Sequence, residues 1–321
     1  MPTQTDTVQR LAAGSRVAFV RLRSLGDCVL STPAIHLLKQ ARPDLQIAVV
    51  AEPRFAAVFE GNPDVARVLS PSARALREFA PVLCLNLHGG TRSARLTLLS
   101  GARFRAGFDI FRPGWIYNTP VPTAQEILGI TRRVHTAEHQ ASAVFYLGVP
   151  VQEVPRARVY AAPGRSARAP AEPYVVIHPT AATPEKTWPA AFYLELARHL
   201  SQDLGLEPVI IGGPGEDLSR FQIWRTLGGE PLPEVARLLR DASLFIGNDS
   251  GPAHVAAAFG TPQLVFFGPS DEEVWYPWRT ESQVLKADPI HVIGVDQAIG
   301  AVRKLAVPKL KDTRVRELRP L

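Results

Sequence analysis

A carboxylate stands directly after a short apolar strand near the start of this chain. Residues 21–27 read RLRSLGD and lie between that predicted strand and a predicted helix. Asp27 could take the proton of an attacking hydroxyl group, which is the role of a general base. It could equally be a simple helix cap, because helix N-termini favour carboxylates. Gly26 permits a tight turn, and Arg21 and Arg23 either attract acceptor phosphates or are solvated surface charges.

A second segment, residues 178–188 (HPTAATPEKTW), also follows a predicted strand and precedes a predicted helix. Thr180 and the small residues after it leave room for a ligand and offer hydrogen-bond donors. Lys186 can place a compact positive charge on a diphosphate. The alternative is an ordinary surface lysine at the entry to a helix.

A third segment, residues 247–254 (GNDSGPAH), joins a strand to a helix through a glycine-bearing turn. Backbone N–H groups at Ser250 and Gly251, together with the helix dipole, form an anion site. Asp249 lies beside that site, where a carboxylate accepts hydrogen bonds from sugar hydroxyls. His254 on the first helical turn bonds either the loop or a donor molecule. The alternative is a capped helix with a structural histidine.

A fourth glycine-rich turn, residues 212–216 (GGPGE), stands at another predicted strand end. Glu216 could hold ribose hydroxyls, as acidic residues do in other nucleotide-binding folds. Neither half of the chain carries a G-x-G-x-x-G loop after its first strand. That absence from the sequence counts against a nicotinamide or flavin enzyme.

The elements that position these loops alternate along the whole chain, and the apolar runs are continuous. Such strands are typical of parallel sheets covered by helices on both faces. Residues 154–173, rich in Ala, Pro, Gly and Arg, predict a linker. We therefore predict an α/β protein of two Rossmann-like domains, 1–160 and 161–321, facing across a cleft with ligands at the strands' carboxyl ends. The predicted strands are residues 16–21, 46–51, 65–69, 81–87, 174–178, 208–211, 244–247 and 263–267. The predicted helices are residues 27–40, 55–60, 91–100, 137–147, 189–204, 232–240, 252–259 and 295–305, followed by a loosely ordered basic tail.

The charge of the chain is unevenly distributed. Residues 1–160 hold 19 Lys and Arg against 11 Asp and Glu, a balance of +8, whereas residues 161–321 hold 17 against 19, a balance of −2. A basic first half predicts an anionic partner such as a phosphate, an acidic glycolipid or a membrane surface. No known nucleic-acid reader motif occurs, so we expect no nucleic-acid partner.

The same sequence indicates a cytoplasmic location. Its two cysteines, Cys28 and Cys84, have no metal-binding spacing, and they suit a reducing compartment. The polar first residues contain no secretory signal, and no apolar run reaches the length of a membrane span. Peripheral contact with the cytoplasmic face of the inner membrane is a further hypothesis from the basic first half.

Taken together and in order, these motifs resemble the ADP-heptose:lipopolysaccharide heptosyltransferases, glycosyltransferase family 9, from about residue 16 to about residue 306. The most specific matches are RSLGD at 23–27 with the Thr-Pro that follows at 32–33, His178 with KTWP at 186–189, and DSGPAH at 249–254. Further matches are GTP at 260–262, FGPS at 267–270, LHGG at 87–90 and RAG at 105–107. The chain departs from the family at Asn86, where many relatives have an acid, and at Pro252 after the glycine. Residues 270–278 (SDEEVWYPW) also lack the usual Thr-Asp/Asn-Pro sequence.

The resemblance implies a GT-B fold and an inverting sugar transfer that requires no metal ion or other cofactor. It implies an acceptor-binding first domain and a donor-binding second domain, with Asp27 as the base that acts on the acceptor hydroxyl. Acceptor-binding positions are then Arg21, Arg23, Ser24 and Gly26. Donor-binding positions are Thr180, Lys186, Glu216, Asp249, Ser250, Gly251 and His254, with the phosphates at Lys186, Ser250 and Gly251.

The implied partners are ADP-heptose as donor and an anionic lipopolysaccharide-core glycolipid as acceptor. Two other functions stay open at this point. A sugar-nucleotide epimerase of the same fold would need further acid and base groups around the sugar. A non-catalytic nucleotide-sugar-binding protein would have no need of a base such as Asp27.

Overall fold

The computed structural model describes residues 3–171 and 173–305. The chain divides into two compact units, a first unit Met1–Tyr160 and a second unit Ala161–Leu321. Each unit is built around one six-stranded parallel sheet, so the predicted α/β class is confirmed. The predicted basic tail lies outside the described residues. Within those residues, no helix has the length and apolar character needed to cross a bilayer.

The first unit has the strand order β3-β2-β1-β4-β5-β6, the doubly wound arrangement in which the strand order reverses between β1 and β4. Loops that follow these two strands therefore meet at the switch point of the sheet. The strands are β1 Arg16–Val20, β2 Gln46–Val50, β3 Arg67–Leu69, β4 Leu83–Asn86, β5 Phe104–Phe108 and β6 Thr119–Val121. The helices are α1 Leu25–Ala41, α2 Ala73–Phe79, α3 Thr91–Leu99, α4 Ala124–Leu128 and α5 Thr136–Tyr146.

The second unit repeats the arrangement with the order β12-β11-β10-β7-β8-β9, and its switch point lies between β7 and β10. The loops that carry Lys186 and Asp249 follow these two strands. The strands are β7 Tyr174–His178, β8 Glu207–Gly212, β9 Arg225–Gly228, β10 Leu244–Asn248, β11 Gln263–Phe267 and β12 Ser282–Lys286. The helices are α6 Ala190–Gln202, α7 Leu232–Asp241, α8 Gly251–Phe259, α9 Glu272–Trp275 and α10 Val295–Val302.

The central strands are buried on both faces, which explains their continuous apolar sequences. In β1, every residue after the first is buried, and β7 and β10 are buried throughout. Trp188, at the end of the loop after β7, stacks on Phe266 with ring centroids 4.1 Å apart and is itself fully buried. This packing fixes the loop that carries Lys186 to the core of the second unit.

Two local predictions need correction. The predicted helix at 55–60 is a 3-10 helix, Pro53–Val58, which begins at a proline. Helix α1 begins at Leu25 rather than at Asp27, with Ser24 as its N-cap residue. The predicted linker contains no helix or strand in its described residues, yet it is packed, because Arg158 N–H donates to Thr32 Oγ1 at 2.8 Å.

Candidate active site

Asp27 lies at the third position of α1, at the carboxyl end of the central strand β1. Its carboxylate accepts a hydrogen bond from Ser24 Oγ at 3.0 Å and a longer one from Ser24 N–H at 3.4 Å. Ser24 occupies the N-cap, and Asp27 at the third helical position forms a capping box with it, so Asp27 caps the helix without being the N-cap residue itself. The side chain keeps 23% of its surface exposed, so a substrate hydroxyl can reach it.

Arg21 is buried and forms an ion pair with Asp27 Oδ1. Its Nη1 donates to the carbonyl oxygen of Leu87, the residue that follows β4. The alternative of a solvated surface charge is therefore wrong for Arg21. The ion pair with Arg21 orients the carboxylate of Asp27. Arg23, in contrast, is exposed, and its role toward an acceptor phosphate stays a prediction.

Two histidines in this part of the first unit are neutral at neutral pH. Burial, and then the positive charge of Arg21, lower the pKa of His139 to about 4. The same two causes lower the pKa of His88, whose Nδ1 lies 3.1 Å from the carbonyl oxygen of Arg23. Neither imidazole therefore adds positive charge beside Asp27 at neutral pH.

In the second unit, buried Asn248 fastens both ends of the loop that carries Lys186. Its Oδ1 accepts a hydrogen bond from Trp188 N–H at 2.9 Å, and its Nδ2 donates to the carbonyl oxygen of Thr180 at 3.2 Å. An open cavity of about 450 Å³ lies along this loop, lined by residues 180–184 and 187–190 and not by Lys186 itself. The small side chains after Thr180 leave that space, as the sequence predicted.

The loop places Lys186 at the start of α8. Its Nζ lies 3.5 Å from Asp249 Oδ2, and the Asp249 side chain is largely buried. Helix α8 begins at Gly251 with Ser250 as the N-cap residue, and the Ser250 hydroxyl makes no capping bond to the helix. A cation and a helix N-terminus thus converge on one spot, an arrangement that suits an anion.

His178, the last residue of β7, connects this spot to Glu216. Its Nδ1 lies 3.1 Å from Ser250 Oγ, and its Nε2 lies 3.1 Å from Thr180 Oγ1 and 3.4 Å from Glu216 Oε2. Glu216 also accepts a hydrogen bond from Thr180 Oγ1 and one from Gly213 N–H at 2.9 Å. The hydrogen bonds from His178 and then Thr180 lower the pKa of Glu216 to about 2, so the carboxylate is ionised across the physiological range.

His254 is buried on the first turn of α8, and its ring lies 6.1 Å from that of Trp275. Burial lowers its pKa, although the charge of Asp249 acts in the opposite direction. Its Nδ1 has no hydrogen-bond partner among the described residues. The predicted bond from His254 to the loop is therefore not made through Nδ1, and contact with a donor stays a prediction.

The comparisons with known proteins agree with this geometry. The family model described as "Glycosyltransferase family 9 (heptosyltransferase)" matches residues 72–292, more than half of the chain. The chain belongs to glycosyltransferase family 9. It is therefore a glycosyltransferase, and the family resemblance inferred from its motifs is confirmed.

Individual relatives of this family 9 transferase extend the match. "Lipopolysaccharide heptosyltransferase 3" from Escherichia coli is 27% identical over 300 residues, which cover 80% of this chain and 84% of the relative. A glycosyl transferase family 9 structure from Veillonella parvula has a TM-score of 0.79 at 22% identity and covers 96% of this chain and 99% of that one. The structure of the E. coli ADP-heptose lps heptosyltransferase II has a TM-score of 0.77 at 19% identity and covers 93% and 99%. These similarities confirm the GT-B fold.

Most predicted site residues of this transferase are brought together within their own unit. Arg21, Ser24 and Asp27 are in contact in the first unit. In the second unit, the predicted donor residues occupy the carboxyl ends of β7, β8 and β10: Thr180, Lys186, Glu216, Asp249, Ser250 and Gly251. The family model's range includes these donor-side positions and leaves out Asp27.

Several residues of the site carried no role in the sequence-based prediction, although some stood in the matched motifs. His178 and Asn248 organise the donor loops, and His139 lies near the Asp27 segment. A polar residue that ends an otherwise apolar strand, as in YVVIH, was the available signal for His178. No group of three His, Cys, Asp or Glu side chains suited to a metal ion occurs within residues 3–171 and 173–305.

Proposed function

We propose that this enzyme transfers heptose from ADP-heptose to a lipopolysaccharide core or related glycolipid, with inversion at the anomeric carbon. The observation that carries the proposal is the meeting of Lys186, Asp249 and the N-terminus of α8. Other residues of the loop that carries Lys186 line an open cavity. The donor is supported by the E. coli relative named for ADP-heptose, and the acceptor by the relatives named for lipopolysaccharide.

On the donor side, Lys186 and the N–H groups of Ser250 and Gly251 bind the diphosphate. The negative charge of Asp249 is repelled by the phosphates. Its carboxylate therefore accepts hydrogen bonds from hydroxyl groups of the sugar instead. Glu216, ionised and held at its loop, binds the ribose hydroxyls together with Thr180. His254 supplies a further contact to the donor from the first turn of α8.

On the acceptor side, Asp27 takes the proton of the attacking hydroxyl group. The acceptor is bound by Arg23, Ser24 and Gly26. Arg21 contributes to acceptor binding indirectly, because it orients the carboxylate of Asp27. The oxygen then forms a bond to the anomeric carbon from the face opposite the diphosphate, and ADP leaves. Lys186 and the helix N-terminus stabilise the charge that develops on ADP, so no metal ion is required.

The location proposed with this function is cytoplasmic, with peripheral contact at the inner membrane where a lipid-linked acceptor is presented. The test of the function is ADP release by purified enzyme supplied with ADP-heptose and a heptose-deficient core glycolipid. Release that requires the glycolipid and persists in EDTA, with an inverted anomer in the product, is the expected result. Interconversion of the donor sugar without acceptor would indicate an epimerase, and tight ADP-heptose binding without release would indicate a binding protein.

Replacement of His178 tests separately the phosphate-binding side of the donor site, at Ser250, and the ribose-binding side, at Thr180 and Glu216. His178→Ala is expected to weaken ADP binding about ten-fold, because each lost hydrogen bond contributes roughly 0.5–1.5 kcal/mol. An asparagine amide lies near the position of Nδ1 and can still reach Ser250, whereas a glutamine amide lies near Nε2 and can reach Thr180. Calorimetry should therefore find pyrophosphate affinity retained in His178→Asn and adenosine affinity retained in His178→Gln. Equal losses of both ligands in all three variants would mean that His178 is purely structural.

A further inference from the structure

The segment between β5 and β6 of the first unit exposes two large apolar side chains. Residues 109–116 read DIFRPGWI, and within them Ile110 is 60% exposed and Trp115 is 72% exposed. Single exposed apolar residues are common on protein surfaces. Two of this size within six residues are a local concentration that calls for a physical reason.

The same segment is firmly held by its other apolar residues. Ile116 is buried against Ala94 of α3, and the ring of Phe111 lies 5.6 Å from that of Phe108 in an edge-to-face arrangement. Arg105 Nε donates to the carbonyl oxygen of Ile116 at 2.8 Å. Ile110 and Trp115 are thus presented on a fixed backbone rather than left on an unpacked loop.

The segment begins after the carboxyl end of β5, on the side of the sheet where Asp27 follows the carboxyl end of β1. The ring of Phe111 packs so closely on Gly89 that a Cβ there would lie 2.9 Å from it, and the adjacent His88 bonds the carbonyl oxygen of Arg23. Because β5 is separated from β1 by one strand, its end lies about 10 Å from the end of β1. The exposed apolar pair therefore belongs to the surface next to the proposed base.

The charges around the segment are mainly positive. Arg112 within it is exposed, and α3, which packs against the segment, carries exposed Arg92 and Arg95 and no acidic residue. Arg92 forms an ion pair with Glu52 at 2.9 Å, and Asp109 is the one acid of the segment. The whole first half of the sequence, with 19 basic against 11 acidic residues, adds a positive field.

We propose that residues 109–116 form an interfacial anchor, with Ile110 and Trp115 entering the headgroup region of an anionic bilayer and Arg95 and Arg112 facing lipid phosphates. Tryptophan and an aliphatic residue beside arginines suit that boundary, since apolar burial and anionic attraction act together there. The anchor would hold the Asp27 edge at the surface where a lipid-linked acceptor lies. That consequence rests on the proposed function, whereas the binding itself does not.

Sedimentation with vesicles of phosphatidylglycerol and phosphatidylcholine tests the anchor. The wild type is expected to bind at low salt and to bind less at high salt or with phosphatidylcholine alone. Ile110→Ser with Trp115→Ser should weaken partitioning at least about ten-fold through lost apolar burial. Arg95→Gln with Arg112→Gln should weaken binding to the anionic vesicles alone. Ile223→Ser with Val292→Ser, at the similarly exposed residues of the second unit (65% and 61%), should leave binding unchanged.

Two activity assays keep this proposal separate from the proposed function. With a core oligosaccharide that lacks acyl chains, the Ile110/Trp115 double variant should release ADP as fast as the wild type, and only the vesicle-borne glycolipid should react more slowly. A wild type that binds vesicles but transfers no sugar would overturn the function and leave the anchor. Vesicle binding that is absent in the wild type, or unchanged in the Ile110/Trp115 variant, would overturn the anchor. Normal vesicle binding with slow reaction of the glycolipid would show instead that the segment contacts the acceptor.

Discussion

Asp27→Asn is expected to lower kcat by about 10²–10⁴-fold, the range that general bases contribute, and to leave ADP affinity unchanged. An asparagine keeps the size of the side chain and can still accept a hydrogen bond from Ser24 Oγ, now 3.0 Å from Asp27 Oδ2. It cannot take a proton from the acceptor hydroxyl. The measurement is the rate of glycolipid-dependent ADP release at saturating donor.

The matched control for this variant is Asp44→Asn. Asp44 is also an arginine-paired aspartate of the first unit, 2.8 Å from Arg42, but it lies beyond the other end of α1. Its rate should stay within about two-fold of the wild type, as expected for surface substitutions. Because Asp27→Asn removes the counter-charge of buried Arg21, thermal melting and ADP calorimetry must accompany the kinetics. A folded variant that binds ADP and retains its rate would show that another group is the base.

Lys186→Met is expected to weaken ADP binding by about 10–100-fold, since hydrogen bonds to charged groups contribute roughly 1.5–3 kcal/mol. Methionine has a similar length but no charge. The KM for ADP-heptose should rise with the loss of affinity. The kcat should fall as well, because the same ammonium group stabilises the departing diphosphate. Calorimetry with ADP and with adenosine measures the first effect, and steady-state kinetics measure the second.

Adenosine decides what Lys186 does. If the lysine binds phosphate, Lys186→Met weakens ADP and leaves adenosine affinity unchanged. If it mainly holds its loop against Asp249, both ligands are weakened alike, and the assignment to the diphosphate is wrong. Arg225→Met is the control, because it breaks the ion pair of another cationic side chain with a carboxylate, Glu207, at the amino-terminal ends of the strands of the same sheet. ADP affinity in that variant should not change.

The sequence predicted the sheets and the loops better than it predicted contacts. Continuous apolar runs such as YVVIH and LFIG become buried central strands because both of their faces are covered. The edge strand β6 was missed because it is three residues long and contains Pro120, which is tolerated only where a strand lacks a full set of ladder partners. Strand β5 was missed because its sequence, FRAGF, lacks a β-branched run.

Within the site, residue types were predictable and pairings were not. The segment 21–27 indicated a carboxylate with arginines nearby, but the environment of Arg21 also depends on the end of β4 and on α5, which are distant in sequence. The role of His178 depends on Ser250 and Glu216, 72 and 38 positions away, and no local pattern encodes such distances. The exposure of Trp115 likewise depends on tertiary packing and not on the local sequence.

The two hydrogen bonds of Asn248 also affect the entropy and the heat capacity change of donor binding. These bonds fix both ends of the loop that carries Lys186, at Thr180 and at Trp188, before a nucleotide binds. The conformational entropy of that loop is lost when the protein folds, so its ordering adds little unfavourable entropy when ADP binds. Calorimetric titrations of ADP should accordingly show a heat capacity change that reflects the surface buried by the nucleotide, without the additional large negative change that accompanies folding of a segment.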